Sequence, residues 1–306
     1  MNPTLLEMIR NTTAQHLDAG YICAGQCLSA IGFVGGTLPN RPDLTELPMS
    51  DVADGGFVTG MALAGKRPIF VVRYQGFLWF NGAIIANYAM KSKAIWKRPC
   101  PILIRAISME GGVGPVASSS HHSLLYRMPG VKIFSPMTPG EWKAAYDEFM
   151  VGDDVVLLSE HRGAWGNSGE MPPVRPRAGR TIDRIPSDVV LFPISITRFA
   201  AVAAAQELQQ EGIDVAVHHI AQIKPYVPSE EALFDLSDSV HGGIVLDDDY
   251  PNGIAKAIAF DIGNISQRPM HVLGLEDRTA GFSAQTDNLP PDKERIKQFI
   301  RNLITV

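Results

Sequence analysis

Cysteine is scarce in this chain: Cys23, Cys27 and Cys100 are the only three in 306 residues. An odd count with no Cys-x-x-Cys or Cys/His spacing leaves no basis for a disulfide framework or a zinc knuckle, and it is the usage expected of a reducing, cytoplasmic compartment. Cys23 and Cys27, flanked by Ala24, Gly25 and Leu28, read as packed thiols. Blocks of basic residues are also lacking. The 27 Lys and Arg are dispersed among 32 Asp and Glu for a formal charge of -5, which argues against a nucleic-acid or acidic-membrane surface and for small metabolites or proteins as partners. No run reaches the eighteen apolar residues of a membrane span. The opening MNPTLLEMIRNTTAQHLDAG places Glu7 and Arg10 inside its apolar pattern and lacks the basic, apolar, small-residue order of a signal peptide. Three chemical signatures are missing: the Walker loop with its Gly-Lys-Ser/Thr, a Gly-x-Gly-x-x-Gly turn after a strand, and the Gly-x-Ser-x-Gly of serine hydrolases.

What is present is ordinary globular composition, 45% apolar and 19% charged, at a length that predicts two domains. The first half alternates helix and strand patterns. Helices are predicted over 3–17, 77–96 and 138–150, and strands over 69–73, 101–107, 131–136 and 154–159. Thr138, Pro139 and Glu141 read as a capped helix start with a capping box. Residues 163–187 hold four prolines and four glycines without periodicity and are the linker candidate. Alternation then resumes, with strands over 188–195, 215–222, 242–249 and 270–275. Helices are expected over 197–212 and from about Ser229, Asn252 and Pro291. Continuously apolar strands separated by helices predict an α/β fold with a mostly parallel sheet covered on both faces, followed by a second, smaller α/β domain.

In such sheets ligands bind beyond the carboxyl ends of the strands. The loop after 101–107, SMEGGVGPVASSSHHSLLYRMPG, offers glycines for close backbone approach and ends on His121 and His122. A mobile surface loop with solvated histidines fits equally, and no His/Glu partner makes the pair a zinc site. Asp247, Asp248 and Asp249 end an apolar strand without a calcium loop around them, and read as a solvated strand end. Arg73, Arg105 and Arg162 lie at strand ends where a phosphate or carboxylate can be gripped, or where each can make a structural ion pair.

Taken in order, Asp51, the glycine-dotted helix after it, AGKRPIF, the aromatic helix from Phe77, PILIRA, the Gly-rich loop with histidine, MPGVKIFSPMTPGE and VVLLSEHR resemble the pyrimidine-binding domain of thiamine diphosphate enzymes. The chain is similar to the β subunit of a 2-oxo acid dehydrogenase first component and to the C-terminal half of a transketolase. The likeness runs through SITRFAAVAAAQELQQEGIDVAVHHIAQIKPYVP and VLDDDYPNGIAKAI in the second half. It implies a parallel-sheet, transketolase-like pyrimidine-binding domain over 1–165, a linker over 166–187, and a transketolase C-terminal-like domain over 188–306.

The resemblance also assigns roles. The family's glutamate lies fourteen positions before the glycine of the AG turn, and counting back from Gly65 lands on Asp51. In the family that carboxylate bonds a ring nitrogen of the cofactor's aminopyrimidine and drives the tautomer that takes up the thiazolium proton. This needs an acid held in a dry pocket. Asp51 is one methylene shorter, so the backbone moves closer, a water bridges the gap, or activation is impaired; the alternative role is a helix cap after Ser50. Asp54 reads as a helix-start charge. Phe77 matches the aromatic against the pyrimidine ring, with Tyr74 sharing that wall. His121 or His122 matches the histidine facing the reacting carbon. Arg73 and Arg162 stand as substrate contacts.

The family's Gly-Asp-Gly magnesium motif is missing, VGDDVV at 151–156 being the nearest string. The resemblance therefore implies that Mg2+ and the diphosphate are held mainly by a separate α-type subunit, in an α2β2 heterotetramer. LGLEDR resembles transketolases and NLPPDKERI the dehydrogenases, so ketol transfer and 2-oxo acid decarboxylation both stay open, as does a non-catalytic assembly or regulatory subunit.

Overall fold

The computed structural model describes residues 2–110, 113–175 and 186–305. Two units emerge: residues 1–170 with 221–225 and 280–287, and residues 171–220 with 226–279 and 288–306. Of the linker expected over 166–187, residues 176–185 lie outside the described residues.

The strands are β1 (Ile22–Gly25), β2 (Thr45–Glu46), β3 (Pro68–Val72), β4 (Leu103–Ser108), β5 (Val131–Phe134), β6 (Val155–His161), β7 (Val189–Pro193), β8 (Val215–Val217), β9 (Gln222–Lys224), β10 (Gly243–Leu246) and β11 (Met270–Leu273). In the first unit they form one sheet in the order β2-β1-β3-β4-β6-β5-β9. All its pairings are parallel except that of β9 with β5. The central strands β3, β4 and β6 are buried at every position, which is why they read as mainly apolar runs, interrupted in β4 and β6 by buried polar and charged residues such as Arg105 and Glu160. The second unit has an all-parallel sheet, β11-β10-β7-β8, with a core of Leu191, Val215, Val217, Ile244 and Leu246 packed by Ala201, Leu208, Ile296 and Ile300.

The helices are α1 (Leu5–Asp18), α2 (Ala30–Gly35), α3 (Asp51–Leu63), α4 (Leu78–Ile84), α5 (Met90–Trp96), α6 (Gly114–Ala117), α7 (Ser123–Tyr126), α8 (Pro139–Val151), α9 (Thr197–Gln210), α10 (Glu230–Asp238), α11 (Ile254–Ser266) and α12 (Lys293–Thr305). Of these, α2 is a left-handed turn, with Ile31, Phe33 and Val34 at φ between 50° and 58°. The helix expected over 77–96 is α4 and α5 joined by a π turn, Ile85–Ala89. At the start of α8, Thr138 accepts from the Glu141 N–H at 3.2 Å, but the Glu141 carboxylate accepts from the Met137 N–H instead of closing the expected box. A complete capping box occurs at α1, between Thr4 and Glu7. The single strand expected over 215–222 is two: β8 ends at Val217 and β9 starts at Gln222 in the other sheet. The acidic run also differs from expectation. Asp247, Asp248 and Asp249 are buried, and Asp248 accepts a 2.7 Å bond from the Ser195 hydroxyl.

His16, buried between α1 and α8, donates from Nε2 to the Arg67 carbonyl at 2.8 Å, which leaves Nδ1 to accept from the Tyr146 hydroxyl at 2.9 Å. Burial disfavours the imidazolium and lowers its pKa to about 4. The folded value is below the unfolded one, so the stability present above about pH 6.5 is lost as pH falls toward 4, on the order of 2–3 kcal/mol. Urea unfolding at both ends of that window should show the loss, and His16→Gln should flatten it.

Candidate functional site

The carboxyl edge of the first sheet opens on a cavity of about 300 Å3 lined by Gln26, Cys27, Met49, Asp51, Phe70, Val71, Val72, Arg73, Tyr74, Phe77 and Asn81. Each side chain arrives by a stated route. Gln26 and Cys27 follow β1, Arg73 and Tyr74 follow β3, Asp51 opens α3, Phe77 immediately precedes α4 and Asn81 lies within it. The two helices approach closely because Gly55 has no side chain; a Cβ there would lie 2.2 Å from the Asn81 carbonyl oxygen. That contact brings Asn81 within reach of Asp51.

Asp51 does not cap its helix with its side chain. Ser50 is the N-cap residue, while Asp51 Oδ1 accepts from Gln26 Nε2 and from Asn81 Nδ2, both at 3.1 Å. Two amide donors on one oxygen hold the carboxylate in place, and Oδ2 has no protein donor among the described residues. Asp54, expected as a helix-start charge, lies in the first turn of α3, is 2% exposed and accepts from the same Gln26 nitrogen. Burial raises its pKa, with the nearby Asp51 charge adding to the rise and the Gln26 bond opposing it.

Phe77 and Tyr74 form an aromatic wall, their rings 6.2 Å apart and tilted by 43°. The Arg73 guanidinium lies 5.9 Å from the Tyr74 ring centre. Arg73 also joins Arg162 in lining a smaller cleft of about 20 Å3 with Tyr74, Met109 and Trp165, where Arg162 sits 5.7 Å over the Trp165 ring. The structure thus gathers Asp51, Arg73, Tyr74 and Phe77 at one cavity and links Arg162 to it through a shared cleft. Cys27, expected as a packed thiol, is partly exposed on the cavity wall.

His121 and His122 do not line that cavity. His122 is buried with Nδ1 3.0 Å from Ser159 Oγ. Gln75 donates to the same hydroxyl at 2.8 Å and accepts from the His121 N–H at 2.7 Å. The solvated histidines of the sequence reading are therefore half right: His121 is partly exposed, and His122 is inside. Arg105 is fully buried in a bidentate pair with Glu160, Nη2 to Oε1 at 2.6 Å and Nε to Oε2 at 2.9 Å. It makes the structural ion pair and does not reach the cavity. Gln26 and Asn81 carried no signal in the sequence, whereas the spacing of Asp51 and Asp54, three apart on one helix, marks a shared face.

Comparison with known proteins bears on this arrangement. Residues 41–167 match the transketolase pyrimidine-binding domain. Over 191 residues the chain is 28% identical to the β subunit of an acetoin:2,6-dichlorophenolindophenol oxidoreductase of Cupriavidus necator, covering 60% of this chain and 56% of that one. It is 26% identical over 218 residues to the β subunit of the 2-oxoisovalerate dehydrogenase of Bacillus subtilis, covering 68% and 65%. The chain thus spans less than two thirds of the length of these relatives. Among solved structures, a split-gene transketolase, an inactive β4 tetramer, superposes with a TM-score of 0.73 at 16% identity over 99% of both chains, a likeness of fold. Residues 41–167 thus match a transketolase pyrimidine-binding domain, and the chain is similar to β subunits of acetoin oxidoreductases and 2-oxo acid dehydrogenases.

Proposed function

We propose that this chain is the β-type, C-terminal subunit of a two-chain thiamine diphosphate enzyme that makes or breaks a carbon–carbon bond next to a carbonyl. The observation that carries the reading is the cavity itself: an acid pinned by two amides beside a flat aromatic wall and an apolar floor of Phe70, Val71 and Val72. These residues fit an aminopyrimidine. Asp51 Oδ2 is open to a ring nitrogen, Phe77 and Tyr74 offer a stacking face, and the buried Asn81 Oδ1, without a donor among the described residues, suits an exocyclic amine. When bound, the cofactor supplies the carbanion chemistry. The chain's own part is to hold a proton between Asp51 and the ring, exclude water with the aromatic wall, and orient an anionic substrate through Arg73 and Arg162. His121 or His122 serves at the reacting carbon.

Residues 1–165 form the pyrimidine-binding domain of this reading, 166–187 its linker and 188–306 the transketolase C-terminal-like domain. Mg2+ and the diphosphate belong to an α-type partner with the Gly-Asp-Gly motif, in a cytoplasmic α2β2 assembly. The outward faces of α3 and α4 support a partner there. Val52, Phe57, Trp79 and Phe80 are each more than half exposed, on the two helices that also carry Asp51 and Asn81, and an apolar patch of this kind marks an interaction surface. Among the described residues no helix is long and apolar enough to cross a membrane.

Decarboxylation of a 2-oxo acid with acyl transfer is favoured by the dehydrogenase relatives, and ketol transfer is the second chemistry. A non-catalytic assembly or regulatory subunit is the alternative, favoured by the shorter acid at position 51. Calorimetry with thiamine diphosphate and Mg2+ tests the split site: the chain alone should bind far more weakly than the chain with its α-type partner. Equal affinity would overturn it.

A further inference from the structure

Asp54 is not explained by the family's single acid, and the geometry around it points to a second role in the same site. This inference rests on the reading of Asp51 as the acid that contacts the cofactor. We propose that Asp54 is a positioning residue for Asp51, the two carboxyls being joined through one Gln26 amide so that the pair keeps a proton that an isolated aspartate would lose.

The Gln26 Nε2 group has two N–H bonds, and the structure spends one on each acid: Asp51 Oδ1 at 3.1 Å, and Asp54 Oδ2. The oxygens of the two carboxyls are therefore separated by no more than the sum of two hydrogen bonds. At that range like charges repel strongly, and the pair takes up its first proton more readily than either group alone. Asp54 is also shielded from water, being 2% exposed, and its pKa is raised by that burial and by the Asp51 charge. The amide dipoles at the start of α3 oppose the rise by favouring negative charge.

Other groups facing the cluster set the balance. Asp51 shares the helix; Cys27 comes from the loop after β1; Arg73 and Tyr74 follow β3. From α4 the cavity receives Asn81, which donates to Asp51 Oδ1 and carries no charge. Arg73, which lines the same cavity, favours the ionised pair and opposes retention of the proton. The consequence bears on the missing methylene. A shorter acid reaches less far toward a ring nitrogen, and a neighbour that anchors it and keeps the proton available compensates in protonation for what is lost in reach.

The test reads the chain without cofactor. Carboxyl 13C NMR of the full-length protein, with Asp54 assigned by the resonance lost in Asp54→Asn, follows the Asp54 midpoint in wild type, Asp51→Asn and Gln26→Met. Asp51→Asn removes the neighbouring charge and should lower the Asp54 midpoint by about one pH unit. Gln26→Met removes a donor to both carboxylates and should raise it. Opposite shifts are not expected of residues that only hold the fold together. An Asp54 midpoint that is unmoved, or that moves the same way in both variants, overturns the proposal. Because these midpoints are measured without thiamine diphosphate, they stand apart from the activity of Asp51→Ala, on which the functional reading itself depends.

Discussion

Asp51→Ala, measured in the proposed complex with an α-type partner, is expected to lower turnover by roughly a hundred- to ten-thousandfold, the range supplied by a positioned acid–base group. The reason is local. The two amides of Gln26 and Asn81 converge on the Asp51 carboxylate, and among the described residues no other acid lines the cavity to replace the lost group. Folding should be little affected, because the side chain does not cap α3; near-ultraviolet circular dichroism of the variant checks this. Asp51→Glu supplies the longer acid found in the thiamine diphosphate enzymes that the chain resembles, but Gln26 and Asn81 are set for the shorter one, so its rate should lie between wild type and the alanine variant. An alanine variant as fast as wild type would remove Asp51 from the chemistry and favour the assembly or regulatory role.

The second large effect concerns stability. Glu160→Leu should destabilise the first unit by about 3–5 kcal/mol in urea unfolding, because it strands the Arg105 guanidinium in the core. Both side chains are fully buried. The Glu160 carboxylate is also the acceptor for Trp142 Nε1 at 3.3 Å, and Arg105 donates to the Thr37 hydroxyl at 3.1 Å. Paired replacement, Arg105→Met with Glu160→Leu, should recover much of the loss, since an apolar pair of similar volume avoids burying an unpaired charge. A single variant as stable as wild type would contradict the buried-pair account.

Arg105 also shows where sequence reading stops. Three arginines at strand ends look alike as letters. Glu160 lies 55 positions from Arg105, and only the adjacency of β4 and β6 in the sheet, with Arg105 opposite Leu158 in register, brings them together. Gln26 and Asn81 were hidden for the same reason, standing 25 and 30 positions from Asp51. The segment after β8 misled for a different one. VAVHHIAQ is apolar enough to read as one strand, but its backbone leaves one sheet after Val217 and joins the other at Gln222, a division that local pattern does not encode.

By itself the sequence determined the α/β class, the strands buried on both faces and the Thr138 cap of α8, because these follow from local periodicity and local capping chemistry; Asp51 as the candidate acid came from the resemblance to thiamine diphosphate enzymes. Tertiary structure alone decided which arginine is an ion pair, that Asp54 is buried and tied to Asp51 through Gln26, that Asn81 belongs to the site, and that His122 lies inside while His121 is partly exposed. Those outcomes depend on hydrogen bonds and burial between segments far apart in the chain, and such contacts exist only after the sheet has set its strand order.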